Sequence, residues 1–121
     1  MGIKKFENLI VWQKSQDLAV HIYSFISRIK DYGFRDQITR AAVSISNNIA
    51  EGFLRESPKE FARYLKIAQA SNGEVRSMLY LSEKLNYLKR VEARQLIDQS
   101  NEISKMLYSL RKTVLEKESN N

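Results

Sequence analysis

The sequence predicts an all-α protein, an antiparallel up-down-up-down four-helix bundle. Apolar residues recur at three- and four-residue steps in four long segments, and no segment alternates as a strand does. The links between the segments are short, which leaves consecutive helices no room to run parallel. A chain of 121 residues also has the usual length of a single domain. We therefore predict a single domain over residues 1–121, with one core.

The first helix is predicted over residues 7–30. Val11, Leu18, Ile22, Ile26 and Ile29 fall on one side of it, which is the pattern of a core-facing stripe. The polar and glycine-containing stretch at residues 31–33 then breaks the helix. Trp12 and Tyr23 border this stripe. They could stack on bases, but aromatic residues at helical spacing more often pack, so we predict that both pack against the bundle.

The second helix is predicted over residues 36–54, and it has two apolar sides. Ile38, Ala41, Ala42, Ile45, Ile49 and Gly52 gather on the side that we assign to the core. The opposite side carries Val43, Asn47, Ala50 and Leu54 at steps of four, three and four. A monomeric bundle needs one apolar stripe per helix, so the second stripe predicts an interface with another copy of the chain.

The third helix is predicted over residues 58–86, because its start carries the sharpest local signal in the sequence. Ser57 is placed to cap the helix, Pro58 occupies the first helical position, and Glu60 the third. The fourth helix is predicted over residues 91–117. Gly33 and Gly52 are interpreted as helix ends and Gly73 as a point of close packing.

Weaker apolar positions off the main stripe of the fourth helix extend the predicted interface. With those of the second helix, the interface candidates are Val43, Asn47, Ala50, Leu54, Ile97, Tyr108 and Leu115. The alternative is a monomer, because isolated exposed apolar residues are common on protein surfaces.

The charge balance favours an anionic partner. The chain carries a net charge of +6, spread along its length, and such an excess makes RNA or DNA a plausible ligand. The candidate contacts are the cations of the third helix and of the fourth: Lys59, Arg63, Lys66, Lys84, Arg90, Arg94, Arg111 and Lys112. The alternative for each stripe is an ordinary solvated helix face.

Catalytic and metal-binding patterns are scarce in the sequence. The single histidine, His21, follows Asp17 by one helical turn, and the chain has no cysteine. No Glu-x-x-His motif or phosphate-binding glycine loop occurs. We predict that the protein is not an enzyme and holds no cofactor or metal ion. No apolar run approaches a membrane span and the start lacks the features of a signal peptide, so we expect a cytoplasmic protein without a membrane partner.

Several motifs resemble those of a known family, the four-helix-bundle proteins encoded in intervening sequences of bacterial 23S rRNA genes. Their order and spacing cover most of the first three helices. The matching pieces are Phe6, Leu9, Val11-Trp12-Gln13, the segment 37–45, Asn48-Ile49-Ala50-Glu51-Gly52, Ser57, Glu60-Phe61 and the segment 68–74.

This resemblance implies properties that the residue pattern does not supply. It implies an up-down bundle, a homo-oligomer such as a pentameric ring, and a structural rather than catalytic role for the Asn48 to Gly52 motif. The family is also similar to the accessory variability determinants of diversity-generating retroelements, which implies nucleic acid and a reverse transcriptase as partners.

Two functions of different classes follow as expectations. The first is a non-enzymatic homo-oligomer that binds RNA or DNA electrostatically with low sequence specificity. The alternative is a protein-interaction or accessory subunit, for example of a reverse transcriptase, without a direct role in binding nucleic acid.

Overall fold

A computed structural model describes residues 2–119, with the side chains of residues 2–118. A short 3-10 turn at Phe6–Asn8 precedes four helices: α1 (Ile10–Ile26), α2 (Tyr32–Leu54), α3 (Pro58–Lys84) and α4 (Arg90–Ser119). No strand occurs in this part of the chain. The prediction of an all-α four-helix bundle is confirmed.

The helices are arranged around the bundle in chain order. α1 packs on α2, α2 on α3 and α3 on α4, and α4 closes against α1. Within residues 2–119 the diagonal pairs, α1 with α3 and α2 with α4, make no close backbone contact. One apolar core runs through the centre, where each fully buried Leu or Ile side chain stabilises the fold by about 1.5–3 kcal/mol. Its largest members include Leu18, Ile22, Ile45, Ile49, Leu65, Leu79, Leu96 and Ile103.

The corner between α1 and α2 differs from the prediction. α1 begins at Ile10 rather than at residue 7, and it ends at Ile26, four residues early. The carboxylate of Asp31 accepts a hydrogen bond from the backbone N–H of Phe34 at 3.1 Å, so α2 begins at Tyr32. Ile29 is buried although it follows the helix. Its spacing from Ile26 therefore suggested a helix that continues past its true end.

The start of α3 is confirmed. The hydroxyl of Ser57 accepts a hydrogen bond from the backbone N–H of Glu60 at 3.3 Å, and Pro58 is the first helical residue. The preceding residue, Glu56, adopts a left-handed backbone with φ 55°. This conformation ends α2 and allows a short link to α3.

The end of α3 lies two residues before the predicted one. Asn86 has φ 60°, which the short side chain of asparagine tolerates. The N–H of Tyr87 then bonds the carbonyl of Ser82 at 2.9 Å, and the N–H of Asn86 bonds that of Glu83 at 3.1 Å. These two bonds form a Schellman motif, so the helix stops at Lys84.

The structure moves the close packing point from Gly73 to Gly52. Gly33 lies in the first turn of α2. A Cβ at Gly52 would lie 2.5 Å from the Cβ of Tyr64, whereas a Cβ at Gly73 would meet no atom within 4 Å. The close approach between helices is therefore at Gly52, where α2 meets α3. The prediction that Gly73 is the close packing point was wrong.

Candidate nucleic-acid interface

The alignment of α3 with α4 is set by polar side chains between them. The side-chain amide of Asn72 donates to the backbone oxygen of Ser100 at 2.9 Å, and the hydroxyl of Ser100 donates to Asn72 Oδ1 at 2.8 Å. Both residues are fully buried. Further along, Gln69 Nε2 donates to the backbone oxygen of Ser104 at 3.0 Å. A shift of one helix past the other would leave these buried groups unpaired, so the register is fixed.

The exposed surface that α3 and α4 share is here called the basic face. It carries Lys59, Lys66, Lys84, Arg90, Arg94, Lys105 and Lys112. Asp98 and Glu116 lie at its outer margin by their helical spacing. The packing of α3 against α4 thus places most of the residues predicted to contact nucleic acid on one surface.

The cations of α3 differ in their availability. Lys59, Lys66 and Lys84 are exposed, and none forms an ion pair with a residue of the described chain. The guanidinium of Arg63 instead lies 2.9 Å from Glu60 Oε2 and 4.7 Å from the ring centre of Tyr64, on the side toward α2. This hydrogen bond raises the pKa of Arg63 and lowers that of Glu60. Arg63 therefore stays charged but already has a carboxylate partner on its own helix, on the side away from α4.

The arginines of α4 are anchored to α3. Arg90 and Arg94 approach the two carboxylate oxygens of Glu83 at 3.8 Å and 3.2 Å. One carboxylate thus serves two guanidinium groups, which leaves a net positive charge at this end of the basic face. Arg111 is half-buried, and its Nε donates to the backbone oxygen of Ala62 at 3.2 Å. It supports the contact between the helices, while its neighbour Lys112 is exposed.

Sequence reasoning missed two cations near this surface. Lys105 is exposed and lies seven residues before Lys112, two helical turns away on the same side of α4. That spacing was available in the sequence. Arg76 is half-buried and donates to the hydroxyl of Ser100 at 3.3 Å. Nothing in its helical spacing singled it out, because its role depends on a residue of another helix.

The predicted oligomer interface separates into different surfaces. Ile97 is 2% exposed and belongs to the core, so its assignment to an interface was wrong. Its position on α4 turns it toward α3 rather than outward. Tyr108 and Leu115 are 68% and 37% exposed, also on α4. They lie on a helix diagonal to α2, so they do not continue the apolar surface of α2.

The outer side of α2 remains an unpartnered apolar surface of the described chain. Leu54 is 65% exposed. Val43 and Ala50 are half-buried, and Asn47 between them is exposed. Tyr23 of α1, half-exposed, lines an open groove with Val43 and Asn47. We call Val43, Asn47, Ala50 and Leu54 the α2 stripe.

The single histidine lies where α1 meets α4. His21 Nδ1 is 3.0 Å from Gln99 Oε1, and both residues line an open cavity of about 180 Å³ with Lys14, Asp17 and Glu102. Lys14 and Glu102 form an ion pair at 2.8 Å that raises the pKa of Lys14. Among residues 2–118, no cluster of three histidine or acidic side chains could hold a metal ion.

The two border aromatics of α1 have different environments. Trp12 is half-buried against the core and meets Phe6 edge to face, with ring centres 5.2 Å apart. Tyr23 is 51% exposed, so the prediction that it packs into the bundle was wrong. Its ring instead lines the open groove beside the α2 stripe.

These observations define the class: an up-down four-helix bundle with a basic face on α3 and α4 and an apolar stripe on α2. The chain belongs to the family described as 23S rRNA-intervening sequence protein, whose sequence model matches residues 7–109. None of its helices in residues 2–119 is long and apolar enough to cross a membrane.

A solved structure supports this assignment. The chain is similar to a protein of unknown function from the S23 ribosomal protein family from Bacteroides thetaiotaomicron, with a TM-score of 0.79 and 32% sequence identity. The match covers 84% of this chain and 98% of that one. No curated protein matches the chain.

Proposed function

We propose that the protein is a non-enzymatic homo-oligomer that binds RNA or DNA through the phosphate backbone, with little sequence specificity. The observation that carries this proposal is the set of exposed lysines on the basic face that form no ion pair with a described residue. These are Lys59, Lys66, Lys84, Lys105 and Lys112.

The chemistry of these side chains favours phosphate contact. A lysine ammonium is a compact charge on a flexible stem, and it binds phosphate oxygens without the fixed fork that reads a base edge. Of the arginines, which could read bases, Arg94 is paired with Glu83 at 3.2 Å, Arg111 donates to the backbone of Ala62, and Arg90 lies 3.8 Å from Glu83. Binding should therefore depend on charge more than on sequence.

The extent of the basic face suits a nucleic-acid strand. α3 has 27 residues, which correspond to about 40 Å at the rise of an α-helix. One turn of B-form DNA is of similar length, about 34 Å. Cations lie near both ends, with Lys84 at one and Lys59 at the other. Several phosphates could therefore contact one bundle.

Self-association would strengthen such binding. The α2 stripe lies away from the basic face, on a helix diagonal to α4. Two copies that meet through this stripe would keep both basic faces open to solvent. Each copy added to the oligomer brings another basic face, which raises the local concentration of binding sites for one strand.

Salt titration with paired charge variants tests the proposal. Log affinity falls linearly with log salt, by about 0.7 for each neutralised phosphate of a single strand and about 0.9 for a duplex. The variant Lys66→Gln/Lys112→Gln should lower the slope by about 1.4 on single strands. Lys5→Gln/Lys30→Gln is the control, because it removes the same charge from exposed lysines off the basic face.

The two possible failures have different meanings. Equal loss of slope in both variants would show that net charge rather than the basic face governs binding. Absence of binding to any nucleic acid at about 50 mM salt, where phosphate contacts are strong, would overturn the proposal. It would leave the accessory or protein-interaction subunit as the better function.

A further inference from the structure

Two exposed tyrosines lie among the cations of the basic face. Tyr80 of α3 is 40% exposed, and the guanidinium of Arg94 lies 5.1 Å from its ring centre. Tyr108 of α4 is 68% exposed. Lys105 and Lys112 stand three residues before it and four after it, so they flank the ring on the same side of the helix.

Hydrogen bonding within the chain does not account for these rings, and packing does so only for part of Tyr80, which Arg94 partly covers. The hydroxyls of Tyr64 and Tyr87 bond charged partners, Arg55 at 2.7 Å and Asp31 at 2.9 Å. The hydroxyls of Tyr80 and Tyr108 bond no residue of the described chain. Aromatic rings that stand in water beside cations are the arrangement with which proteins stack nucleic-acid bases.

The distance between the two rings follows from the pairing of α3 with α4. Arg94 is level with Tyr80, and Arg111 is level with Ala62. Tyr108 is therefore level with Leu65, about 15 residues from Tyr80 along α3, which is roughly 22 Å at 1.5 Å per residue. A stacked strand with about 3.4 Å per nucleotide covers this distance in roughly seven nucleotides.

We propose that the basic face binds unpaired RNA or DNA, with bases stacked on Tyr80 and Tyr108 and phosphates held by the lysines beside them. This inference rests on the proposed function and names its ligand. In a duplex the base faces are covered by neighbouring pairs, so a tyrosine on a helix surface cannot reach them. In an unpaired strand every base offers a face, and this mode of binding tolerates any sequence.

This assignment differs from the expectation for Tyr108. The sequence placed it at an interface between copies, but in a two-fold contact between basic faces its neighbours Lys105 and Lys112 would meet like charges. An anionic strand would stack a base on the ring and place phosphates beside the two ammonium groups.

The test compares strands by fluorescence anisotropy. An unstructured RNA of about eight nucleotides, long enough to reach both rings, is compared with the DNA of the same sequence and with the corresponding duplexes. The wild type should prefer the unpaired strands. Tyr80→Leu/Tyr108→Leu should lose about tenfold in affinity for each ring, since each leucine removes a surface on which a base stacks. The salt slope should be unchanged because no cation is removed.

Three controls make the result specific. Tyr80→Phe/Tyr108→Phe keeps both rings and should retain the affinity. Tyr23→Leu removes an exposed ring outside the basic face and should have no effect. Shortening the RNA to about four nucleotides, too short to reach both rings, should make the two tyrosines act one at a time.

The failures are distinguishable. Equal affinity for duplex and unpaired strands, unaffected by the leucine changes, would overturn this inference and leave phosphate-driven binding in place. A changed solution mass of the Tyr108→Leu protein would also overturn the assignment, because it would return that residue to an interface between copies. Absence of binding to every strand would overturn the proposed function as well.

Discussion

Asn72 and Ser100 exchange two hydrogen bonds between α3 and α4, and both residues are fully buried. The amide of Asn72 donates to the backbone oxygen of Ser100 at 2.9 Å, and the Ser100 hydroxyl donates to Asn72 Oδ1 at 2.8 Å. Apolar side chains would permit several alignments of the two helices. This pair permits one, and it therefore determines which cations are neighbours on the basic face.

Removing the pair should destabilise the bundle in a coupled way. Asn72→Ala removes the side-chain acceptor of the Ser100 hydroxyl. We expect a decrease of about 1–3 kcal/mol in the free energy of unfolding. Ser100→Ala should have a smaller effect, and the double variant should cost less than the sum, with a coupling of about 1 kcal/mol. Urea unfolding of the wild type, the two single variants and the double variant measures this coupling. Strict additivity would show that the two residues act independently.

Two glycines in the bundle should respond oppositely to alanine. Gly52→Ala places a methyl group 2.5 Å from the Cβ of Tyr64, so α2 and α3 must separate, at about 1–3 kcal/mol. Gly73→Ala meets no atom within 4 Å, and it should stabilise α3 by about 0.5–1 kcal/mol because alanine favours the helix. Thermal unfolding compares the two. Equal destabilisation by both would contradict the close approach at Gly52.

Stability in acid should depend on Asp31. The backbone N–H of Phe34 and then the hydroxyl of Tyr87 hold the pKa of Asp31 below its ordinary value of 3.8. The unfolded chain therefore takes up this proton at a higher pH than the folded chain does. The stabilisation is complete above 3.8 and is lost as the pH falls through the lower folded pKa.

Urea unfolding over a series of pH values measures this dependence. Asp31→Asn keeps an acceptor for Phe34 but removes the charge. Its free energy of unfolding should be lower than that of the wild type near neutral pH, and the difference should shrink below about pH 4. Tyr87→Phe removes the hydroxyl and keeps the ring 5.2 Å from that of Phe34, so it should weaken the dependence in part. Parallel loss of stability in Asp31→Asn and the wild type would exclude this carboxylate as the cause.

The α2 stripe should mediate self-association. We expect light scattering of the wild type to give a multiple of the 14.1 kDa chain, because an exposed Leu54 and its apolar neighbours favour burial against a second copy. Leu54→Glu should shift the mass toward the monomer. Leu81→Glu is the control, since Leu81 is 45% exposed on another helix. A wild type that stays at the mass of one chain would remove the stripe from the proposed function.

The fold could be predicted from the sequence because helices are signalled by residues that are near one another in the chain. Apolar spacing located all the helices, and the capping serine and proline fixed the start of α3. The same spacing failed at Ile29, since a turn can bury a side chain as a helix does. It also failed at Ile97, where the direction in which α4 faces α3 decides the burial.

The site was harder to predict because it depends on contacts between helices. The cations of α3 and α4 can be read from the sequence, but their common face cannot, because it requires the pairing of Asn72 with Ser100. The pairing of Arg63 with Glu60 is different, because their three-residue spacing on one helix was visible in the sequence and was missed. The contact of Arg94 with the ring of Tyr80 likewise requires the register of the two helices.

The polar contacts between α1 and α4 are of another kind than the buried pair between α3 and α4. Lys14 with Glu102, His21 with Gln99, and Arg28, just after α1, with Glu92 all lie at the surface, where water and salt weaken such pairs. Local opening should therefore begin there, and the amide hydrogens of α1 should exchange with solvent before those of α3. A bundle that opens in this way would release its first helix while the pair that carries the basic face stays intact.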